Sequence, residues 1–368
     1  NEAGLGGGGT SAPHSSGQYN TAVGSEALKG FTSGYNNVAV GYQSLTSTTT
    51  GFNNVAVGKG ALDSLTTADY TTAVGAAAGS NIVGGRFNTF YGFNAGGNSN
   101  SSTHIVAVGY NAYGSGATNK AYGVYIGSNA GRYDTSGEAT IAIGYNAVAC
   151  DSGGGNNPSS CIGIGNGALS DINGQARSNI GIGGGALGNV TNGEYNTAMG
   201  QSVGSTLTTG DNNVIIGYNA DVSAAAGTNQ IVVGQGATGV GDNTAIIGNS
   251  SVTDVYMGDN GSTWSTTSDG RLKENVEDWN VGLDAINNLR IVSYNFKKDN
   301  PYKYNSEKKR QGIIAQEAQK VLPEMIKDDG EWLSANQEPM IWALVNSVKE
   351  LSKKVEEQQK EIEELKKK

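Results

Sequence analysis

Val38-Ala39-Val40-Gly41 returns seventeen residues later as Val55-Ala56-Val57-Gly58, and after seventeen more as Thr72-Ala73-Val74-Gly75. The same phrase opens at Asn20-Thr21-Ala22-Val23-Gly24 and is rewritten further on as Val106-Ala107-Val108-Gly109, Ile141-Ala142-Ile143-Gly144, Ile162-Gly163-Ile164-Gly165, Ile180-Gly181-Ile182-Gly183 and Val214-Ile215-Ile216-Gly217. The closing glycines stand at 24, 41, 58, 75, 92, 109, 127, 144, 165, 183, 200, 217, 234 and 248; the step is 17 except for two of 18, one of 21 and one of 14. A fixed short period marks a solenoid, in which each repeat covers the apolar face of the next. Inside each phrase β-branched and small residues alternate, and a period of two means a strand. The glycine after it turns the chain where a side chain would not fit. A second short segment follows, such as Tyr218-Asn219-Ala220 or Asn166-Gly167-Ala168-Leu169. Two short strands and two turns therefore fill the repeat at about 3.3 Å per strand residue, and the small Ala and Gly residues inside permit close approach of coils or of neighbouring chains. A Gly-rich linker would not place a β-branched strand at every seventeenth residue.

Composition agrees with a structural role. Gly accounts for 57 of 368 residues, about twice ordinary usage, yet Pro is only 5 and no Gly-X-Y period exists, which excludes collagen. Charged residues make up 15%, too few for disorder of the charged kind. A net charge of −9 argues against nucleic acid as a partner, which would require clustered Lys and Arg. No apolar run approaches the roughly 20 residues of a membrane span, so membrane insertion is not expected. The chain shows no signal peptide and opens on Asn1 rather than Met, as expected of the distal part of a longer protein. His14 and His104 stand alone, so neither a metal site nor a cofactor is expected.

At Ser268-Asp269-Gly270-Arg271-Leu272-Lys273 the Gly-rich repeat gives way to a charged, helix-ending segment. A serine attacks an amide only when a neighbouring base takes its proton. Lysine is such a base only when neutral, which means lowering its pKa from about 10.4 toward roughly 7–8 by burial or by nearby positive charge. Arg271 and the packing of the chain are candidates for that effect. The spacing of Ser268 and Lys273 alone favours an ordinary polar turn, since such a pair arises by chance in most proteins.

The residues around the pair carry more. Ser268 to Val276, then Leu289-Arg290-Ile291-Val292-Ser293-Tyr294-Asn295-Phe296, Gly312-Ile313-Ile314-Ala315-Gln316-Glu317, Val321-Leu322-Pro323-Glu324 and Ala343 to Leu351 together resemble the endosialidase-type intramolecular chaperone domain. That family comprises self-cleaving serine peptidases at the C-termini of phage tail fibres and tailspikes. The resemblance implies cleavage between Thr267 and Ser268, with Ser268 and Lys273 as a catalytic dyad that acts once on its own chain. It also implies that the arm Lys297 to Lys309 wraps the neighbouring fibre. The repeat resembles the left-handed parallel β-roll of trimeric autotransporter adhesin heads and many phage tail fibres.

The end of the chain is a coiled coil. Ile341, Val348, Val355 and Ile362 fall at a positions, and Leu344, Leu351, Gln358 and Leu365 at d. β-branched a with Leu at d favours two strands. The resemblances, together with Gln358 in the seam, favour three.

The expected organisation is a linker at 1–19, a β-roll shaft at 20–250, and a connecting strand and scissile segment at 251–267. A mixed α/β chaperone and autoprotease domain follows at 268–338, and a trimeric coiled coil at 339–368. The fold class is mainly β, a trimeric parallel solenoid with a small α/β domain at its end. The expected function is a phage tail-fibre protein that binds a host surface. Its partners would be two further copies, a host polysaccharide or protein receptor and upstream tail proteins; it would be made in the host cytoplasm and reside on the virion. The alternative is a trimeric bacterial or viral surface adhesin whose chaperone domain is never cleaved. A polysaccharide depolymerase finds no carboxylate pair at a fixed site in the repeat. Within the 21-residue step, the spacing of Cys150 and Cys161 leaves open a bridge across the loop 151–158 or two thiols. The tyrosines at 110, 113, 122 and 125 are read as strand-face residues rather than a binding loop.

Overall fold

The computed structural model describes residues 17–97, 99–114, 121–134, 139–150, 158–172, 176–252, 268–299, 306–328 and 332–367. They fall into two compact units divided after Val252. The expected strand Val252 to Gly258, and Thr267 with it, lie outside the described residues apart from Val252.

The first unit is a parallel β-solenoid. Among the described residues fourteen strands, from Thr21–Val23 to Ala245–Ile247, pair in chain order in a single sheet. Neighbours are one repeat apart: Ala39 stands opposite Ala22 on one side and Ala56 on the other. The irregular steps leave the register intact. Val106 pairs with Val124 across the first step of 18, Ile141 with Ile162 across the step of 21, and Ile231 with Ala245 across the step of 14. Added residues are thus absorbed between strands. Coil-to-coil bonding already begins at Gln18, whose carbonyl accepts from Asn36 N at 3.0 Å.

The alternation within each strand resolves into an inside and an outside. The middle residue is buried, as at Ala39, Ala56, Ala73, Ala142 and Ala198, while its β-branched neighbours remain partly exposed. The small residues therefore serve the interior of one chain and not the approach of a second. They are small because the opposite wall fills the space. A Cβ on Gly163 would sit 2.6 Å from Val148 Cγ2, and one on Gly181 would sit 3.2 Å from Leu169 Cγ. Where the middle residue is large, glycines make the room. The Phe90 ring occupies the space a side chain on Gly96 would need, and Tyr125 does the same at Gly123 and Gly131.

The second strand expected in each repeat is absent among the described residues. After the anchoring glycine, left-handed residues alternate with right-handed ones: Gln43 and Leu45 after Gly41, Gly60 and Leu62 after Gly58, Gly185 and Leu187 after Gly183. Left-handed residues at every second position break the extended backbone that a strand needs. It still bonds coil to coil, with Gln43 N donating to Ser25 O and Leu45 N to Ala61 O, both at 3.0 Å. Leu28, Leu45, Leu62, Leu169 and Leu187 project from this tract into the core. The anchoring glycines stack on one another: Gly58 has φ +134°, and a Cβ there would meet Gly75 O at 2.5 Å. No L side chain satisfies both conditions.

A buried amide ladder holds the corner before many of the strands. Asn196 N donates to Asn179 Oδ1 (3.0 Å), Asn196 Nδ2 to Gly210 O (2.9 Å), and Asn196 Oδ1 accepts from Asn213 N (3.0 Å). The pattern repeats at Asn37 and Asn54 and at Asn213. Asn196→Ala should leave the Asn213 amide and the Gly210 carbonyl buried without these partners. It is expected to destabilise the shaft by about 1–3 kcal/mol for each group so orphaned. A shift of the chemical-denaturation midpoint to lower denaturant checks this, and an unchanged midpoint would show the ladder to be incidental.

Two of the four tyrosines of the 109–127 stretch are core residues. Tyr113 and Tyr125 stack at 4.7 Å, Tyr113 shares a hydrogen bond with Ser102 Oγ, and Tyr125 Oη donates to Asp134 Oδ2, both at 2.8 Å. Burial, then the nearby Asp134 charge, pushes the Tyr125 phenol well above its ordinary range. Tyr113 lies in the turn tract rather than on a strand. Tyr110 and Tyr122 are exposed. Tyr122 ends an outer aromatic ribbon, Tyr35–Phe52–Tyr70–Phe87–His104–Tyr122, with ring centroids 4.8 to 5.4 Å apart. Cys150 and Cys161 are buried thiols and are not bridged. Their intervening loop, 151–157, lies outside the described residues, as does His14.

The second unit is small and mixed. In chain order it has helix α1 (Leu283–Asn288), an antiparallel pair Val292–Tyr294 with Arg310–Gly312, helix α2 (Ala315–Ala318), a second pair Ile326–Asp328 with Leu333–Ala335, and helix α3 (Glu338–Lys367). Its core is Ala285, Ala318, Leu322, Met325, Ala343 and Ser347. Part of the arm expected at Lys297 to Lys309, residues 300–305, lies outside the described residues.

Candidate functional site

Ser268 and Lys273 are brought together by local chain geometry. Five residues of extended chain would hold them roughly 17 Å apart. A single 3-10 turn, Gly270–Leu272, folds the intervening chain, closed by Leu272 N donating to Asp269 O (3.1 Å) and Lys273 N to Gly270 O (3.2 Å). Lys273 Nζ then donates to Ser268 Oγ at 2.7 Å. The turn buries none of its residues, and both Ser268 and Lys273 are exposed. Hydrogen bonds rather than core packing thus set the local geometry.

Arg271, a candidate for the positive charge beside Lys273, is engaged elsewhere. Its guanidinium forks onto Asp269, Nε to Oδ1 and Oδ2 at 3.1 Å each and Nη2 to Oδ2 at 2.6 Å. The Asp269 side chain also accepts from Arg271 N at 2.9 Å. The Arg271 side chain and backbone N–H together hold the Asp269 carboxyl below the usual carboxylate range. The packing that would bury the lysine is likewise not found among the described residues.

The stretches singled out beyond the turn also converge. Leu289 to Phe296 and Gly312 to Glu317 meet as one hairpin, Val292 opposite Gly312, with Arg290 Nη1 bound to Glu317 Oε1 at 2.9 Å. Residues 268–327 match the family model described as chaperone of endosialidase. The match begins at Ser268 itself, at the seam where the repeat ends. This intramolecular chaperone domain follows a β-repeat shaft, and the two together fit the tail-fibre pattern that the sequence resembles.

The match ends before α3, yet α3 completes the small chaperone core. One helix face carries Ala343, Asn346, Ser347 and Glu350. Asn346 Nδ2 donates to Trp279 O (2.7 Å) and Val281 O (3.0 Å), and the Glu350 carboxylate accepts from Leu283 N at 3.3–3.4 Å at the start of α1. The other face carries the heptad residues Ile341, Leu344, Val348, Leu351, Val355, Ile362 and Leu365, all exposed in the single chain. Asn336 Oδ1 caps the helix by accepting from Glu338 N at 3.0 Å.

Sequence reading placed the heptads but missed the intramolecular face, whose partners lie up to 67 residues away. It also missed the Asp269–Arg271 fork; a carboxylate just before a turn, with a cation two residues on, was the available signal. No helix among the described residues is long and apolar enough to cross a membrane.

Proposed function

We propose that residues 268–368 template the folding of three shafts and then detach by cutting the Thr267–Ser268 bond. The mature shaft would be a phage tail-fibre protein of the virion that binds a host-surface polysaccharide or protein and joins upstream tail proteins. The observation that carries the cleavage reading is the 2.7 Å contact between Lys273 Nζ and Ser268 Oγ at the first residue of the chaperone match.

The chemistry runs as follows. With Lys273 neutral, the Ser268 Oγ proton passes to Nζ as Oγ adds to the Thr267 carbonyl carbon. The Thr267–Ser268 C–N bond breaks as its nitrogen takes that proton, leaving an ester. Water hydrolyses the ester, freeing a Thr267 carboxyl and restoring the Ser268 hydroxyl. Burial is what makes a lysine available as a base near neutral pH, and in the single chain the pair is exposed. Assembly would supply the missing cover, so that cutting follows trimer formation.

Two unpartnered apolar surfaces support a homotrimer. One is the heptad face of α3. The other is the β-branched outer face of the shaft strands, including Val38, Val40, Ile141, Ile143, Ile162 and Ile164. Extended apolar faces of this kind mark protein contacts. Leu351→Asp would place unpaired charges in the seam and is expected to give monomer or aggregate with little cleavage. Normal trimers from that variant, by light scattering, would show the coiled coil to be dispensable.

The exposure of Ser268 and Lys273 favours one other reading, an adhesin that keeps its chaperone domain. Electrophoresis of the purified full-length protein separates the two: a shaft product ending at residue 267 supports cleavage, and a persistent full-length band supports retention.

A further inference from the structure

We infer that Asp269 is the positioning residue of the Ser268–Lys273 pair, acting by capping the turn that holds the two side chains together. The inference rests on the cleavage reading above and extends it to a residue that touches neither reacting atom.

The turn has little else to hold it. None of its residues is buried, and its two backbone bonds are long, at 3.1 and 3.2 Å. Against these stand four contacts from one carboxylate, to Arg271 N, twice to Arg271 Nε and once to Nη2. A side-chain oxygen that accepts from an amide in the first turn of a helix satisfies a donor that would otherwise lack a partner there. The fork adds a charge-assisted, planar grip that ties the middle of the turn to its start. Fixing the turn fixes the direction in which the chain leaves at Lys273, which sets the distance from Nζ to Oγ. Reaction rates depend steeply on such placement.

The cap and the fork are separable. Asparagine keeps an oxygen that can accept from Arg271 N but loses the charge, whereas alanine loses both. The test follows self-cleavage of the full chain after synthesis, by electrophoresis, in four proteins: the parent, Asp269→Ala, Asp269→Asn and Ser268→Ala. Asp269→Ala is expected to cut about ten-fold more slowly, a barrier increase of about 1.4 kcal/mol. Asp269→Asn is expected to recover most of the rate. The pH at which each variant reaches half its own maximal rate should be the same for alanine and asparagine, because both lose the charge and differ only in the cap. Melting temperature and trimer size should be unchanged, since the turn buries nothing. Equal rates for Asp269→Ala and the parent, with Ser268→Ala uncut, would overturn the positioning role and leave the dyad standing. Different pH midpoints for the alanine and asparagine variants, or an asparagine variant as slow as alanine, would overturn capping as its basis. Cutting in Ser268→Ala would remove the dyad reading, and the role of Asp269 with it.

Discussion

Ser268→Ala and Lys273→Ala should each yield a full-length, trimeric chain in which the shaft product is absent. The first removes the only oxygen that can form the ester, so its cleavage should fall below detection. The second removes the base, whose loss typically costs about 10²–10⁴-fold. Over the time in which the parent is fully processed, both variants should show one band. Folding should be spared, because both side chains are exposed and neither is part of the small core formed by Ala285, Leu322, Met325 and Ala343. Size-exclusion chromatography and thermal melting of the uncut trimers provide that control. Cleavage of both variants at the parent's rate would show that neither residue performs the chemistry.

The second large effect concerns the history of the shaft. Residues 1–267 released by cleavage from a folded trimer should stay trimeric and resist heat and detergent. Unfolding them requires stripping coils that are bonded to their neighbours on both sides, and such proteins are protected by a rate rather than by an equilibrium. The same residues expressed without 268–368 should fail to reach that state. A solenoid coil has little to hold it until a neighbour covers it, and nothing then aligns three chains. With a period of seventeen residues, a slip by one whole coil keeps almost every apolar contact and so costs little. Comparing the melting and size of the two preparations checks this. An equally stable trimer from the truncated gene would remove the chaperone role from the terminal unit.

Much of the site was legible in the sequence because it is local. Ser268 and Lys273 lie within one turn, and the seam in composition marks where to look. What was not legible was how the turn is held. Arg271 reads as a charge near Lys273, yet a carboxylate two residues before it captures the guanidinium at short range. The intramolecular face of α3 was hidden for another reason. Asn346 and Glu350 are unremarkable polar residues in a heptad pattern until the chain returns Val281 and Leu283 to them from 65 and 67 residues away.

For the shaft, the sequence by itself determined the period, the position of each strand and the stacked glycines, because a one-dimensional solenoid repeats the same local demands at every coil. It also determined that each strand has two unlike faces. It suggested the small Ala and Gly as the inward face, although strict alternation is satisfied equally by valine inward or alanine inward. Tertiary packing decided that. In many coils the left-handed tract after the glycine sends a leucine into the same narrow interior, and most strands carry an alanine or glycine there, with Ile215 and Val232 among the larger buried exceptions. The flanking β-branched residues are thereby turned outward. Where glycines open the wall, as beside Phe90 and Tyr125, a ring fits within at the strand position.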